Sequence, residues 1–213
     1  MPRDHVRVLF IGNSFTARND VPGLVAALAA SRGHRLEHAL ISAGGASLRA
    51  HWNKGEAARR IESERWDAVV LQEQSTLPLK NAWRFHENVR LFDGPVRDAG
   101  ARLALYATWA RAQAPASQDA LTDAYLEIGL ELGALVVPAG EAWRAALALP
   151  AHPVLHDKDG SHPTLAGSYL AACCFLPVLF DESPDGADHV PPGLSASDAA
   201  LLQRVAAATS STG

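Results

Sequence analysis

Val6-Arg7-Val8-Leu9-Phe10-Ile11-Gly12-Asn13-Ser14-Phe15-Thr16, near the start of the chain, is an apolar run that stops at a polar turn. Val6–Ile11 is far too short to cross a bilayer and reads as a buried strand, ended by Gly12-Asn13-Ser14. Beyond the turn the spacing becomes helical. Asp20 offers an N-cap ahead of Pro22, and Leu24, Val25 and Leu28 share one face up to Gly33. The same strand-then-helix unit recurs along the chain. Leu36–Ile41 reads as a second strand, with the interspersed polar residues that an edge position tolerates. Ser47 to about Glu64 reads as a helix, and Asp67–Leu71 as a strongly buried third strand. Trp83–Asp98 is a long helical stretch stopped by Gly100. Arg102–Thr108 is a fourth strand, Ser117–Leu132 a helix, and Ala134–Val137 a short fifth strand. A helix follows His162-Pro163, then a Pro/Gly/Asp-rich loop from Asp181 to Gly193 that reads as a tolerated surface insertion. A final helix starts near Ser197, and Thr209–Gly213 is expected to fray. This alternation predicts a three-layer α/β/α sandwich on a mainly parallel five-stranded sheet, flavodoxin-like, with residues 1–213 forming a single domain.

Composition narrows the function classes. With 48% hydrophobic and 20% charged residues the chain reads as globular rather than disordered. A net charge of -4, with Lys and Arg scattered, gives no basic stripe for nucleic acid and no cluster for a membrane surface. The first residues lack the long apolar stretch of a secretory signal, and the apolar run around Leu170–Phe180 is short and interrupted by Pro177. The only cysteines, Cys173 and Cys174, are adjacent, a spacing that rarely satisfies disulfide geometry. Free buried thiols and a cytoplasmic location are the expectation.

In parallel sheets of this kind ligands sit beyond the carboxyl ends of the strands. Ser14 falls there, exposed at a strand-to-helix turn with helix N–H groups behind it that can stabilise an oxyanion. Asn13 and Ser14 also suit plain turn and capping duties. The turn is not a G-x-S-x-G elbow, because Thr16 stands where the second glycine would be. A serine nucleophile needs a base oriented by a carboxylate. His156-Asp157-Lys158-Asp159-Gly160-Ser161-His162-Pro163-Thr164 supplies both, since Asp159 can fold back onto the imidazole of His162. Taken alone, that stretch also suits a polar surface loop. The crowd of His152, His156, Asp157, Asp159 and His162 raises a metal site, but its spacing matches no standard helix-borne ligand motif and leaves Ser14 without a role. No metal or cofactor is expected. Trp109, after the fourth strand, is placed either to line a pocket or to pack.

Gly12-Asn13-Ser14 and Asp159-Gly160-Ser161-His162-Pro163 resemble the first and last blocks of the SGNH (GDSL-like) hydrolase superfamily. The usual first block is Gly-Asp-Ser, and Asn13 replaces its aspartate. The chain is most similar to a bacterial branch that opens Gly-Asn-Ser-Phe/Tyr-Thr and continues into Asn-Asp-x-Pro, here Asn19-Asp20-Val21-Pro22. The resemblance runs from Val6 to about Leu179. It implies that Ser14 attacks the ester carbonyl, that His162 takes its proton and that Asp159 orients His162. It also implies an oxyanion-hole glycine after the second strand, where Ser42–Ser47 offers Gly45 and, next, Gly44. The third block normally supplies an asparagine amide; this chain has Leu71-Gln72-Glu73-Gln74-Ser75 instead. Gln74 or Gln72 carries the required N–H, and residues two apart in a strand share a face.

The resulting expectation is a cofactor-independent serine esterase. Its partner is a small-molecule ester with a short acyl chain, acetyl above all, on a carbohydrate as in many relatives. Asn13 and Trp109 are the candidate substrate contacts. The rival readings are a lipase or thioesterase on the same fold, and a non-catalytic carbohydrate- or nucleotide-binding module in which Gly12-Asn13-Ser14 cradles a phosphate. Neither a Gly-rich fingerprint nor a P-loop lysine supports the latter.

Overall fold

The computed structural model describes residues 5–210. In chain order the elements are β1 (His5–Gly12), α1 (Ser14–Ala17), α2 (Val21–Ser31), β2 (Arg35–Ser42), α3 (Leu48–Lys54), α4 (Glu56–Ser63), β3 (Ala68–Leu71), α5 (Leu77–Lys80), α6 (Ala82–Asp98), β4 (Arg102–Tyr106), α7 (Gln118–Leu132), β5 (Leu135–Val137), α8 (Ala139–Leu147), α9 (Leu165–Cys173), α10 (Phe175–Phe180) and α11 (Ala196–Ser210). The strands form one sheet in the order β2-β1-β3-β4-β5, and every pairing is parallel.

Alternation along β1 builds the three layers. Val6, Val8 and Phe10 face the side covered by α2, α8, α9, α10 and α11, where Leu28, Trp143, Tyr169, Phe175 and Leu202 fill the core. Leu9 and Ile11 face the other side, closed by Leu48, Ile61, Phe85, Phe92 and Ile128 from α3, α4, α6 and α7. Strands buried on both faces read as continuous apolar runs, and all of β3 is buried. β2, at one edge, keeps its mixed character.

Several boundaries differ from the sequence expectation. The stretch from Ser47 is two helices, because Gly55 adopts φ +72° between α3 and α4. β4 ends at Tyr106 rather than Thr108. The helix after His162-Pro163 is divided into α9 and α10. α8 has no counterpart in the sequence reading; its alanine-rich composition hid an apolar face that buries Trp143. α11 runs through Ser210, so Thr209 and Ser210 are placed in the helix, while residues 211–213 lie outside the described residues. The Asp181–Gly193 loop is fastened to the helical layer: Arg32 donates to Glu182, Tyr169 to the His189 carbonyl and Gln203 to the Ala187 carbonyl. Cys173 and Cys174 are free and buried. Among the described residues no helix is long and apolar enough to cross a membrane.

For function, the consequence is that β1, β2, β3 and β4 all release their chains at one edge of the sheet.

Candidate active site

The turn that carries Ser14 is set by buried amides. Asn13 caps α1: its Oδ1 accepts from the Phe15 N–H at 3.1 Å, and its Nδ2 donates to the Ala46 carbonyl at 3.0 Å. Gln72 Oε1 accepts from the Asn13 N–H at 2.9 Å and from the Thr16 hydroxyl at 3.0 Å. Because backbone N–H groups can only donate, that end of the side chain must be the oxygen. Its Nε2 therefore donates the other way, to the Glu73 carbonyl. Gly12 has to be glycine: a Cβ there would lie 2.6 Å from Thr16 Oγ1 and 2.7 Å from Gln72 Oε1. Below the turn, buried His51 donates from Nε2 to the Gly12 carbonyl at 2.7 Å. Burial holds the pKa of His51 below the ordinary histidine value. Half-buried Ser14 is left pointing its hydroxyl toward the late loop.

That loop brings the imidazole to the serine. Ser14 Oγ lies 2.9 Å from His162 Nε2, and His162 Nδ1 lies 2.5 Å from Asp159 Oδ2. A carboxylate only accepts, so Nδ1 carries the proton and Nε2 of the neutral ring accepts from the serine hydroxyl. The hydrogen bond from the His162 ring, joined by those from the His162 and Ser161 N–H groups, keeps the Asp159 carboxyl well below the usual carboxylate range. Gly160, at φ +68°, makes the turn that lets Asp159 face His162. The loop is secured from outside as well. Arg18 pairs with Asp157 at 2.6 Å, Asn19 Nδ2 donates to the Pro163 carbonyl at 3.4 Å and to Ser168 Oγ of α9 at 2.9 Å, and Trp109 Nε1 donates to the Ser161 carbonyl at 3.0 Å.

Around the serine, the N–H groups of Ser14 and Gly45 have no acceptor among the described residues. Gly45 sits at φ +66° in an exposed turn closed by the Ala46 N–H on the Ala43 carbonyl; Gly44 has no such constraint. Gln74 Oε1 accepts from the N–H groups of Thr76 and Leu77 at 2.9 and 3.0 Å, which fixes the oxygen on α5 and leaves Nε2 unengaged. The two glutamines thus do not share a face. Gln72 is fully buried with both ends bonded inside the protein, whereas Nε2 of half-buried Gln74 has no acceptor among the described residues.

Two expected substrate contacts are placed elsewhere. Asn13 is buried with both side-chain atoms committed. Trp109 is 2% exposed and stacks on Trp143 with ring centres 3.8 Å apart. With Trp143, Gln118 and His156 it borders a cavity of about 310 Å³ that excludes Ser14, Asp159 and His162. A groove of about 900 Å³ runs beside β5 between Leu126, Val136 and Val205, also away from Ser14. Among the described residues no three His, Cys, Asp or Glu side chains converge as a metal shell. His156 Nε2 donates instead to the Ala110 carbonyl at 3.0 Å. The sequence reading missed Arg18 and Asn19 as the clamp on the His162 loop. Asn19 was visible only as part of a motif without a role.

No protein-family model and no curated protein matches the chain. Solved structures do. A candidate SGNH hydrolase from Slackia heliotrinireducens is 27% identical with TM-score 0.72, over 82% of this chain and 99% of that one. A DUF4886 family protein from Bacteroides uniformis is 20% identical with TM-score 0.80, over 96% and 94%. A mutant acetyl-xylooligosaccharide esterase from Geobacillus is 17% identical with TM-score 0.61, over 82% and 94%. The architecture is the α/β/α sandwich of the SGNH hydrolases.

Proposed function

We propose that the chain is a serine esterase of the SGNH superfamily acting on short-chain carboxylic esters, acetyl esters of carbohydrates above all. The observation that carries the reading is the continuous relay from Ser14 Oγ through His162 to Asp159, at 2.9 and 2.5 Å. Ser14 Oγ attacks the ester carbonyl carbon while its proton passes to His162 Nε2. The oxyanion so formed is met by the N–H groups of Ser14 and Gly45 and by Gln74 Nε2. Collapse breaks the bond to the alcohol, which leaves with the proton from His162. Water, giving its proton to His162, then attacks the acyl-enzyme; the acid departs and the hydroxyl of Ser14 regains the proton. The acetyl and carbohydrate preference is supported by the acetyl-xylooligosaccharide esterase among the structural neighbours. Exposed Trp83, at the amino end of α6 on the same sheet edge, offers an apolar face suited to a sugar ring.

The test is fluorophosphonate labelling together with hydrolysis of esters of increasing acyl length and of acetylated sugars. Wild type should label at Ser14 and prefer the acetyl ester, and Ser14→Ala should fold normally with kcat lower by about 10⁴-fold or more. Comparable rates in both proteins would overturn the mechanism. A preference for long acyl chains would replace the acetyl-ester reading with a lipase or thioesterase one.

A further inference from the structure

Glu73 has no part in the relay, yet it is a fully buried carboxylate at the carboxyl end of β3. Its Oε1 accepts from the Leu48 N–H at 3.0 Å and from the Gln74 N–H at 2.6 Å. Its Oε2 accepts from Asn88 Nδ2 at 2.8 Å, and Asn88 Oδ1 accepts from Arg49 Nε at 3.1 Å. One oxygen atom therefore ties the start of α3, three residues beyond Gly45, to the backbone of Gln74. These are the two loops that lend the outer oxyanion donors. Burial pushes the Glu73 carboxyl up, and the three hydrogen bonds oppose it. A buried ionisable group of this kind commonly costs stability relative to a packed apolar residue, so its presence calls for a gain of another sort.

We infer that Glu73, held by Asn88 and Arg49, is a positioning residue that sets the spacing between Gly45 and Gln74. The inference rests on the esterase reading. Position matters because a displacement of about 1 Å in a preorganised site costs on the order of 10²-fold in rate. The network also dictates its own test. In Glu73→Gln the new Oε1 can still receive Leu48 and Gln74, but its Nε2 meets the Asn88 amide donor. Turning Asn88 over only moves the donor–donor contact to Arg49. Adding Asn88→Asp restores the pattern, since the new carboxylate accepts from Gln at 73 and from Arg49.

Wild-type turnover and Ser14 labelling are measured first; their absence would overturn the esterase reading and this inference together. With an active wild type, Glu73→Gln should lower kcat about 10- to 100-fold while KM changes by less than about threefold. The E73Q/N88D pair should return kcat to within about threefold of wild type. An E73Q kcat within threefold of wild type, or a pair no better than E73Q although both melt like wild type, would overturn the positioning role and leave the esterase reading standing. If E73Q does not fold, the pair is compared with wild type directly. Activity within threefold supports the role; a larger loss, or failure of the pair to fold as well, overturns it.

Discussion

Around Ser14 the side chains that shape the turn are buried: Asn13, Gln72, Glu73 and His51 all lie inside the protein. Around His162 the opposite holds, with the Asp159 side chain 48% exposed and His162 31%. On the serine side Asn13 and Gln72 each use both ends of the amide, so any other rotamer would strand a buried donor or acceptor, at a cost of about 1–3 kcal/mol each. On the histidine side the loop is held by an exposed ion pair, Arg18–Asp157, and by a few contacts to the Asn19 amide, Trp109 and Ala112. Exposed pairs contribute roughly 0–1 kcal/mol. Ser14 is thus carried on a turn that buried hydrogen bonds fix, whereas His162 is held by a surface loop.

The sharpest way to break this contrast is Asp159→Asn. Loss of the carboxylate removes the acceptor that fixes the His162 tautomer, and kcat should fall by about 10³-fold or more. A loss below tenfold would mean that the exposed half does not serve the chemistry. Next comes a pair of substitutions on the buried side. Gln74→Ala should lower kcat by about 10²-fold, as expected for one oxyanion donor, and cost only about 1 kcal/mol of stability as Thr76 and Leu77 lose their acceptor. Gln72→Ala should show the reverse balance, because it strands the Asn13 N–H and the Thr16 hydroxyl. If unfolding curves and kinetics rank the two the other way, the assignment of the amides is wrong. The smallest effect is expected for Arg18→Ala: a stability loss under about 1 kcal/mol and a kcat lower by about twofold to fivefold. Salt at about 1 M should bring the wild type part of the way toward that variant. A wild-type rate indifferent to salt would argue that the loop does not depend on this pair.

The strands could be read from the sequence because parallel strands covered on both faces leave dense apolar runs, as Val6–Ile11 and Ala68–Leu71 do. The break at Gly55 and the helix at Ala139–Leu147 were not legible. A single glycine stops a helix only when its left-handed conformation is used, and an alanine-rich segment shows little periodicity. Ser14, Asp159 and His162 stood out because a strand-end serine and an Asp-x-x-His are local patterns. Gln72 and Gln74 could not be told apart, since their difference lies in partners far along the chain or around the next turn. Arg18, acting on Asp157, and Glu73, acting on Leu48, were invisible for the same reason.

The sequence was enough for the order of the five strands, the sheet edge at which Ser14 lies and the residue types gathered there, because each follows from local periodicity and turn chemistry. Which amides are spent on holding the turn, and which keeps an unbonded Nε2, is settled by contacts between distant segments. The tertiary structure likewise decided that Trp109 and Asn13 belong to the interior, and that one buried carboxylate joins two loops. Those outcomes depend on hydrogen-bond partners supplied by distant segments, and no local pattern encodes them.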